Sequence, residues 1–138
     1  MARQKIEIVQ ESGKPVAELF ALLSDHNRLR EVFGIPVRRI VDGQGELNGI
    51  GSVRRMGFFG PLGLEETVTG LNPNRSIDYR ISKGGGPVRN HSGNLSFTAM
   101  PNGSRVVWTI NFDSLPLVGT AIRIVLTQAI RMGLKRIA

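Results

Sequence analysis

The sequence predicts an α+β fold: a seven-stranded antiparallel sheet wrapped around a long C-terminal helix, with two short helices between the first and second strands. Three observations carry this. Residues 37–112 read as six short β-like segments separated by tight turns, the mark of an antiparallel meander. Residues 15–33 change to a helical period, and so does the stretch after Pro116. Such a sheet has one face to cover, and a single long helix can lie across it, leaving a hollow between them.

Each element has its local reason. "KIEIV" (5–9) alternates polar and apolar residues as a half-buried strand does. "PVAELFALLS" (15–24) sets Val16, Leu19, Phe20 and Leu23 on one helical stripe and opens on Pro15. Asp25 can cap a second short helix through "NRLREVF", which Gly34 and Pro36 stop. Six strands follow at 37–41, 51–56, 64–71, 75–81, 88–99 and 104–112. Asp113 or Ser114 can cap the last helix, with Pro116 in its first turn. Its apolar stripe takes in Val118, Ile122, Val125, Leu126, Ala129 and Ile130, while Arg123, Thr127, Arg131 and Lys135 recur as an opposite polar face.

A chain of 138 residues bounds the fold to one domain over residues 1–138, with enough length for a real core. Its 41% apolar and 21% charged residues mark a globular chain rather than a disordered one. With no cysteine, disulfide frameworks and thiolate metal sites are excluded, which suits a reducing compartment. "MARQKIEIVQES" lacks the apolar core of a signal peptide, and "LPLVGTAIRIVLTQAI", interrupted by Arg123, reads as an amphipathic helix rather than a membrane span. A cytoplasmic location is therefore expected. The net charge of +7 is uneven: residues 1–78 balance 10 Lys/Arg against 10 Asp/Glu, whereas residues 79–138 set 8 against Asp113 alone. Such asymmetry can mark a surface for nucleic acid or anionic lipid.

The element order, with "PVAELFALLSDHNRLREVF", "GIGSVRRM", "SIDYRI" and "HSGNLSF…GSRVVWTINF", resembles the START-related, birch-pollen-allergen-like superfamily (SRPBCC), and within it the bacterial polyketide cyclase/dehydrase and lipid-transport group. The resemblance spans nearly the whole chain. It implies a helix-grip fold that holds a hydrophobic ligand between sheet and long helix. Some members of that superfamily cyclise polyketides, some carry lipids or quinones, and others sense a ligand.

The glycine-rich "RISKGGGPVRNH" (80–91) leads into an alternating strand, with no helix start and no Gly-Lys-Ser/Thr to receive a phosphate, so it reads as a hairpin turn. On the strand after it, Leu95 and Phe97 set Arg89, His91 and Gly93 toward the hollow, beside Trp108, Ile110 and Phe112 of the next strand. His91 there can bond a ligand carbonyl or move a proton, or else make structural bonds at the rim. Glu66 shares the inward face with Leu64 and Val68, and Arg54, on the face of Met56, is its natural partner, whereas a slip of one residue in register would bring Arg55 in instead. The two readings are an ion pair or a Glu66–His91 acid/base pair. Tyr79, between Ile77 and Ile81, offers a hydroxyl anchor. Trp108 suits core packing first and ligand stacking second.

His26, beside Asp25 at the helix break, and His91 stand apart without acidic spacing, so no metal or cofactor is assigned. No serine stands in a nucleophile elbow. Phe58 and Phe59 at a hairpin tip suit peripheral membrane contact, a gate at the cavity mouth, or folding back on the domain. The basic residues fall on two surfaces without interleaved aromatics, which is no strong nucleic-acid signal.

The expectation is binding, as carrier or sensor, of a hydrophobic small molecule such as a lipid, quinone or polyketide. The expected contacts are Arg54, Met56, Glu66, Tyr79, His91, Phe97, Trp108, Ile110 and Ile122. One alternative is a polyketide cyclase or dehydratase with His91 and Glu66 as catalytic residues. Another is an interaction protein using the basic C-terminal helix face for RNA, ribosome or anionic membrane.

Overall fold

In the computed structural model, which describes residues 1–57 and 63–138, the chain begins with β1 (Ala2–Ser12), α1 (Val16–Ser24), a 3-10 turn (His26–Arg28) and α2 (Arg30–Phe33). It continues through β2 (Val37–Val41), β3 (Val53–Met56), β4 (Leu64–Asn72), β5 (Ser76–Lys83), β6 (Arg89–Met100) and β7 (Gly103–Ser114) to α3 (Pro116–Ile137). The expected aromatic hairpin tip, Phe58 and Phe59, lies outside the described residues. The strands form one antiparallel sheet in the order β1-β7-β6-β5-β4-β3-β2, so the meander is closed on one side by the first strand. The two short helices carry the chain from one sheet edge to the other.

Burial follows the pleat. Along β7 every second residue is buried, which sets Val106, Trp108, Ile110 and Phe112 on one face. β1 pairs with β7 from Ala2↔Ser114 to Ser12↔Ser104, well beyond the expected 5–9. Alternation of side chains marked only its buried centre, whereas backbone pairing carries the strand to both polar ends. α1 buries Leu19, Phe20, Leu22 and Leu23, and the Phe20 ring meets Phe97 edge-on at 5.1 Å. The second short helix divides at its start: Asp25 caps the 3-10 turn by accepting the Asn27 N–H at 3.0 Å, and α2 ends at Gly34 in the left-handed region (φ 72°).

The cap of α3 differs from the expectation. Asp113 and Ser114 still belong to β7, Leu115 occupies the cap position without a side-chain bond, and Asp113 instead pairs with Arg3 at 3.2 Å. The rotation of α3 differs as well. Its buried residues are Gly119, Ile130, Gly133 and Leu134, while Val118 and Val125 of the expected apolar stripe are exposed. The two glycines explain this. A Cβ on Gly133 would overlap the Val32 carbonyl of α2, and one on Gly119 would stand 3.1 Å from Gln4 and Ser114. Close backbone approach therefore sets the face that α3 turns inward, and larger apolar residues stay outside.

The expected polar face is divided by the same rotation. Arg123 is half-buried against Gln4 (3.0 Å), and Arg136 donates to the Val32 carbonyl at the end of α2 (3.2 Å). Arg131 and Lys135 remain exposed. By length and composition α3 does reach what a membrane span requires, contrary to the expectation, yet it is packed on β1 and α2.

Candidate functional site

The sheet opens between β5 and β6. The two strands pair only from Ser76↔Ser96 to Tyr79↔Gly93, although β5 continues to Lys83 and β6 begins at Arg89. Where pairing has stopped, the Ile81 N–H donates to His91 Nδ1 at 3.0 Å. Asn90 takes a positive φ (51°), and the β6–β7 register slips between Arg89 and Ser92, so a bulge turns this end of β6. The bulge breaks the expected alternation: Arg89 is exposed rather than inward, while His91 keeps its place on the inner side.

A cavity of about 270 Å³ occupies the opening. Its apolar walls come from α2 (Phe33), β7 (Ile110, Phe112), α3 (Ile122, Leu126) and the glycine corner (Gly85, Val88). Gly84 and Gly86 hold positive φ there (75° and 58°), so the triple glycine is a turn, and the turn forms part of the cavity wall. Among the described wall residues, Glu66, Tyr79 and His91 carry polar side chains.

Behind Glu66 lies a buried polar network. Arg54 and Glu66 are directly opposed across β3 and β4, and Arg54 Nε and Nη2 each donate to Glu66 Oε1 at 2.8 Å. The guanidinium sits 4.6 Å over the Tyr79 ring, and its Nη1 is 3.3 Å from His26 Nδ1. Arginine has only donors, so Nδ1 of His26 is the acceptor and Nε2 bears the hydrogen. That hydrogen goes to Ser52 Oγ at 2.8 Å. Ser52 and His26 therefore do not form a nucleophile–base pair, because the proton is on the nitrogen that would have to accept one.

His26 is fully buried, and burial first, then Arg54 and Arg39, lowers its pKa to about 3. The unfolded chain takes up this proton near pH 6.5 and the folded one near 3, so stability is full above the upper value and falls as pH drops between them. We expect a loss of roughly 1 kcal/mol per pH unit across that window, and a shallower slope in His26→Gln. Urea midpoints of both proteins from pH 7 to 4 measure this, and parallel slopes would show that His26 does not carry it.

In the cavity wall, the Tyr79 hydroxyl accepts the Trp108 Nε1 hydrogen at 2.8 Å. Burial, with Glu66 adding to it, holds the phenol well above its ordinary range, so it stays neutral with its own hydrogen to donate. Burial also lowers the pKa of His91, opposed by Glu66 and assisted by Arg54 and Arg3. The ring is thus neutral at pH 7, and with Nδ1 accepting from Ile81 its hydrogen is on Nε2. Among the described residues, the hollow is thus bordered by a neutral phenol, a neutral imidazole and a paired carboxylate set in apolar walls.

Of the expected contacts, Met56, Glu66, Tyr79, His91, Ile110 and Ile122 line the cavity. Arg54, Phe97 and Trp108 do not, and each has a reason. Arg54 is engaged behind Glu66 and Tyr79; Phe97 packs on Phe20; Trp108 packs edge-on to Phe33 (5.7 Å) and Tyr79 (6.5 Å) within the core. Of the two readings for Glu66, the ion pair with Arg54 is the one present. Sequence reasoning missed Phe33, Val88 and Leu126 as walls, and the whole His26–Ser52 link. One signal for His26 was legible: it lies three residues after Leu23, continuing the buried stripe of α1.

The seven-stranded sheet, the long terminal helix and the hollow between them together define a helix-grip fold of the birch-pollen-allergen-like kind. The chain belongs to the polyketide cyclase/dehydrase and lipid transport family, whose model matches residues 3–138. No curated protein is similar enough in sequence to count as a match. Among solved structures it is similar to a protein from Nitrosospira multiformis (16% identity, TM-score 0.75, 95% of this chain and 93% of that one). It is likewise similar to Ara h 8.0201 (18%, TM-score 0.69, 96% and 95%). A third is the di-domain ARO/CYC StfQ from the steffimycin biosynthetic pathway (16%, TM-score 0.74), of which the match covers 97% of this chain and 48% of that one. At these identities the likeness is one of fold.

Proposed function

We propose that this domain binds a hydrophobic small molecule, as a carrier or sensor, in the cavity between sheet and α3. The observation that carries the reading is the cavity itself, with apolar walls and three polar side chains grouped at Glu66, Tyr79 and His91. Burial of the ligand's apolar surface supplies affinity, and the two neutral donors suit a carbonyl or quinone oxygen. A volume of about 270 Å³ lies just under the ~300–1,000 Å³ usual for drug-sized ligands, which favours a compact ring system or part of an acyl chain over a whole polyketide. A cysteine-free chain suits the cytoplasm, where we place it.

Family membership and the likeness to StfQ support a second reading, a cyclase or dehydratase. The chemistry of the site favours binding. The Glu66 carboxylate is engaged by Arg54, and neutral His91 presents a donor rather than a base.

Native mass spectrometry of the purified protein, with extraction of whatever is released, names the ligand class. Titration with a fluorescent fatty acid then tests the site. Ile122→Trp, which fills the cavity from α3, is expected to weaken binding at least tenfold, and unchanged affinity would place the probe elsewhere. Turnover of a polyketide that His91→Ala abolishes, with binding intact, would establish the enzyme instead.

A further inference from the structure

We propose that the outer face of α3 docks on an anionic phospholipid bilayer, from which the cavity is loaded or emptied; this rests on the hydrophobic-ligand reading above. The first support is what α3 shows to solvent. Leu117 is 88% exposed and Val125 69%, and Ile124 and Met132 are more than half exposed. With Ala121, these residues share one side of the helix over four turns. An outward face of that length and apolarity marks a surface with a partner. Because Gly119, Ile130, Gly133 and Leu134 hold the opposite side to the body, α3 would lie in the interface plane rather than cross it.

Charge decides between partners. Residues 114–138 contain Arg123, Arg131, Lys135 and Arg136 and no acidic residue. Arg131 and Lys135 continue the same outer face at its C-terminal end and are exposed. A second copy of this chain would bring another +7 toward that cationic end, whereas acidic headgroups bring the opposite sign.

Continuity with the cavity is the third support. Ile122 and Leu126 line the cavity and also border an outer apolar hollow with Ala121, Val125 and Ala129. Ile122 and Leu126 thus form an apolar border shared by the outer hollow and the cavity.

The test is co-sedimentation with vesicles of phosphatidylcholine, alone or mixed with phosphatidylglycerol, for the native chain, Leu117→Glu/Val125→Glu and Arg131→Glu/Lys135→Glu. The native chain should partition into the mixed vesicles, at least tenfold more weakly into phosphatidylcholine alone, and less as salt rises. Each double variant should lose at least tenfold of that partition. In vesicle-free buffer, the fluorescent fatty-acid affinity of Leu117→Glu alone should be unchanged, since Leu117 borders neither the cavity nor the outer hollow. Absent partition, equal partition into both vesicles, or partition indifferent to the substitutions would overturn the proposal. A native dimer that Leu117→Glu/Val125→Glu dissociates, without vesicle binding, would overturn it in favour of a second copy. Failure of the cavity reading looks different: the native chain then binds no probe in buffer, whatever the vesicles show.

Discussion

Glu66→Leu alone is expected to cost this domain about 3–5 kcal/mol, because it leaves the Arg54 guanidinium buried without its counter-charge. Arg54 is only 3% exposed, and its other neighbours, the His26 Nδ1 and the Tyr79 ring, are uncharged. A surface pair of the same geometry would matter far less, since water would solvate the survivor. Arg39–Asp42, also at 2.8 Å but with the carboxylate mostly in solvent, is such a pair. The double variant Arg54→Met/Glu66→Leu should recover most of the loss, because two apolar side chains replace two charges and only the His26 acceptor loses a donor. Urea unfolding of both single variants and the double closes the cycle. A double variant as unstable as Glu66→Leu would show that packing around Arg54, not its charge, accounts for the cost.

Gly93→Ala is expected to lose cavity binding and about 1–3 kcal/mol of stability together. Gly93 lies directly opposite Tyr79 across β5 and β6, and the ring occupies the space a side chain would need: a Cβ there overlaps the ring carbons. Displacing the ring would break its bond to Trp108 and move one of the three polar groups in the cavity wall. Neither neighbour offers an easy retreat, since Trp108 is fully buried and Arg54 is held by Glu66. Fatty-acid titration and thermal unfolding of Gly93→Ala measure the two effects. A variant that binds as the native chain does would show that the Tyr79 position is not needed for the ligand.

Much of this architecture was legible in the chain. The pleat of β7 was readable because period-2 burial is a local property, and so was Arg54 as the natural partner of Glu66, since both share a face with apolar neighbours; the direct opposition of the two came from the strand register. The same rule failed at Arg89, where a bulge adds a residue to the count that alternation assumes. It could not separate cavity wall from core. Phe97 and Ile110 both face inward, yet Phe20 of α1 covers the first and leaves the second beside the hollow.

By itself, then, the sequence determined the order and type of the elements, the inward face of most of the sheet and the pairing of Glu66 with an arginine of the preceding strand, while the register that buries Arg54 rather than Arg55 came from the structure. The first three follow from local periodicity and the cost of burying an unpaired charge. Tertiary structure alone decided the rotation of α3, the separation of β5 from β6 and the link from Ser52 through His26 to Arg54. The first and the third of these depend on segments far apart in the chain meeting at contact distance. Gly133 can turn α3 inward only where the Val32 carbonyl approaches, and His26 finds its hydrogen-bond partners 26 and 28 residues away.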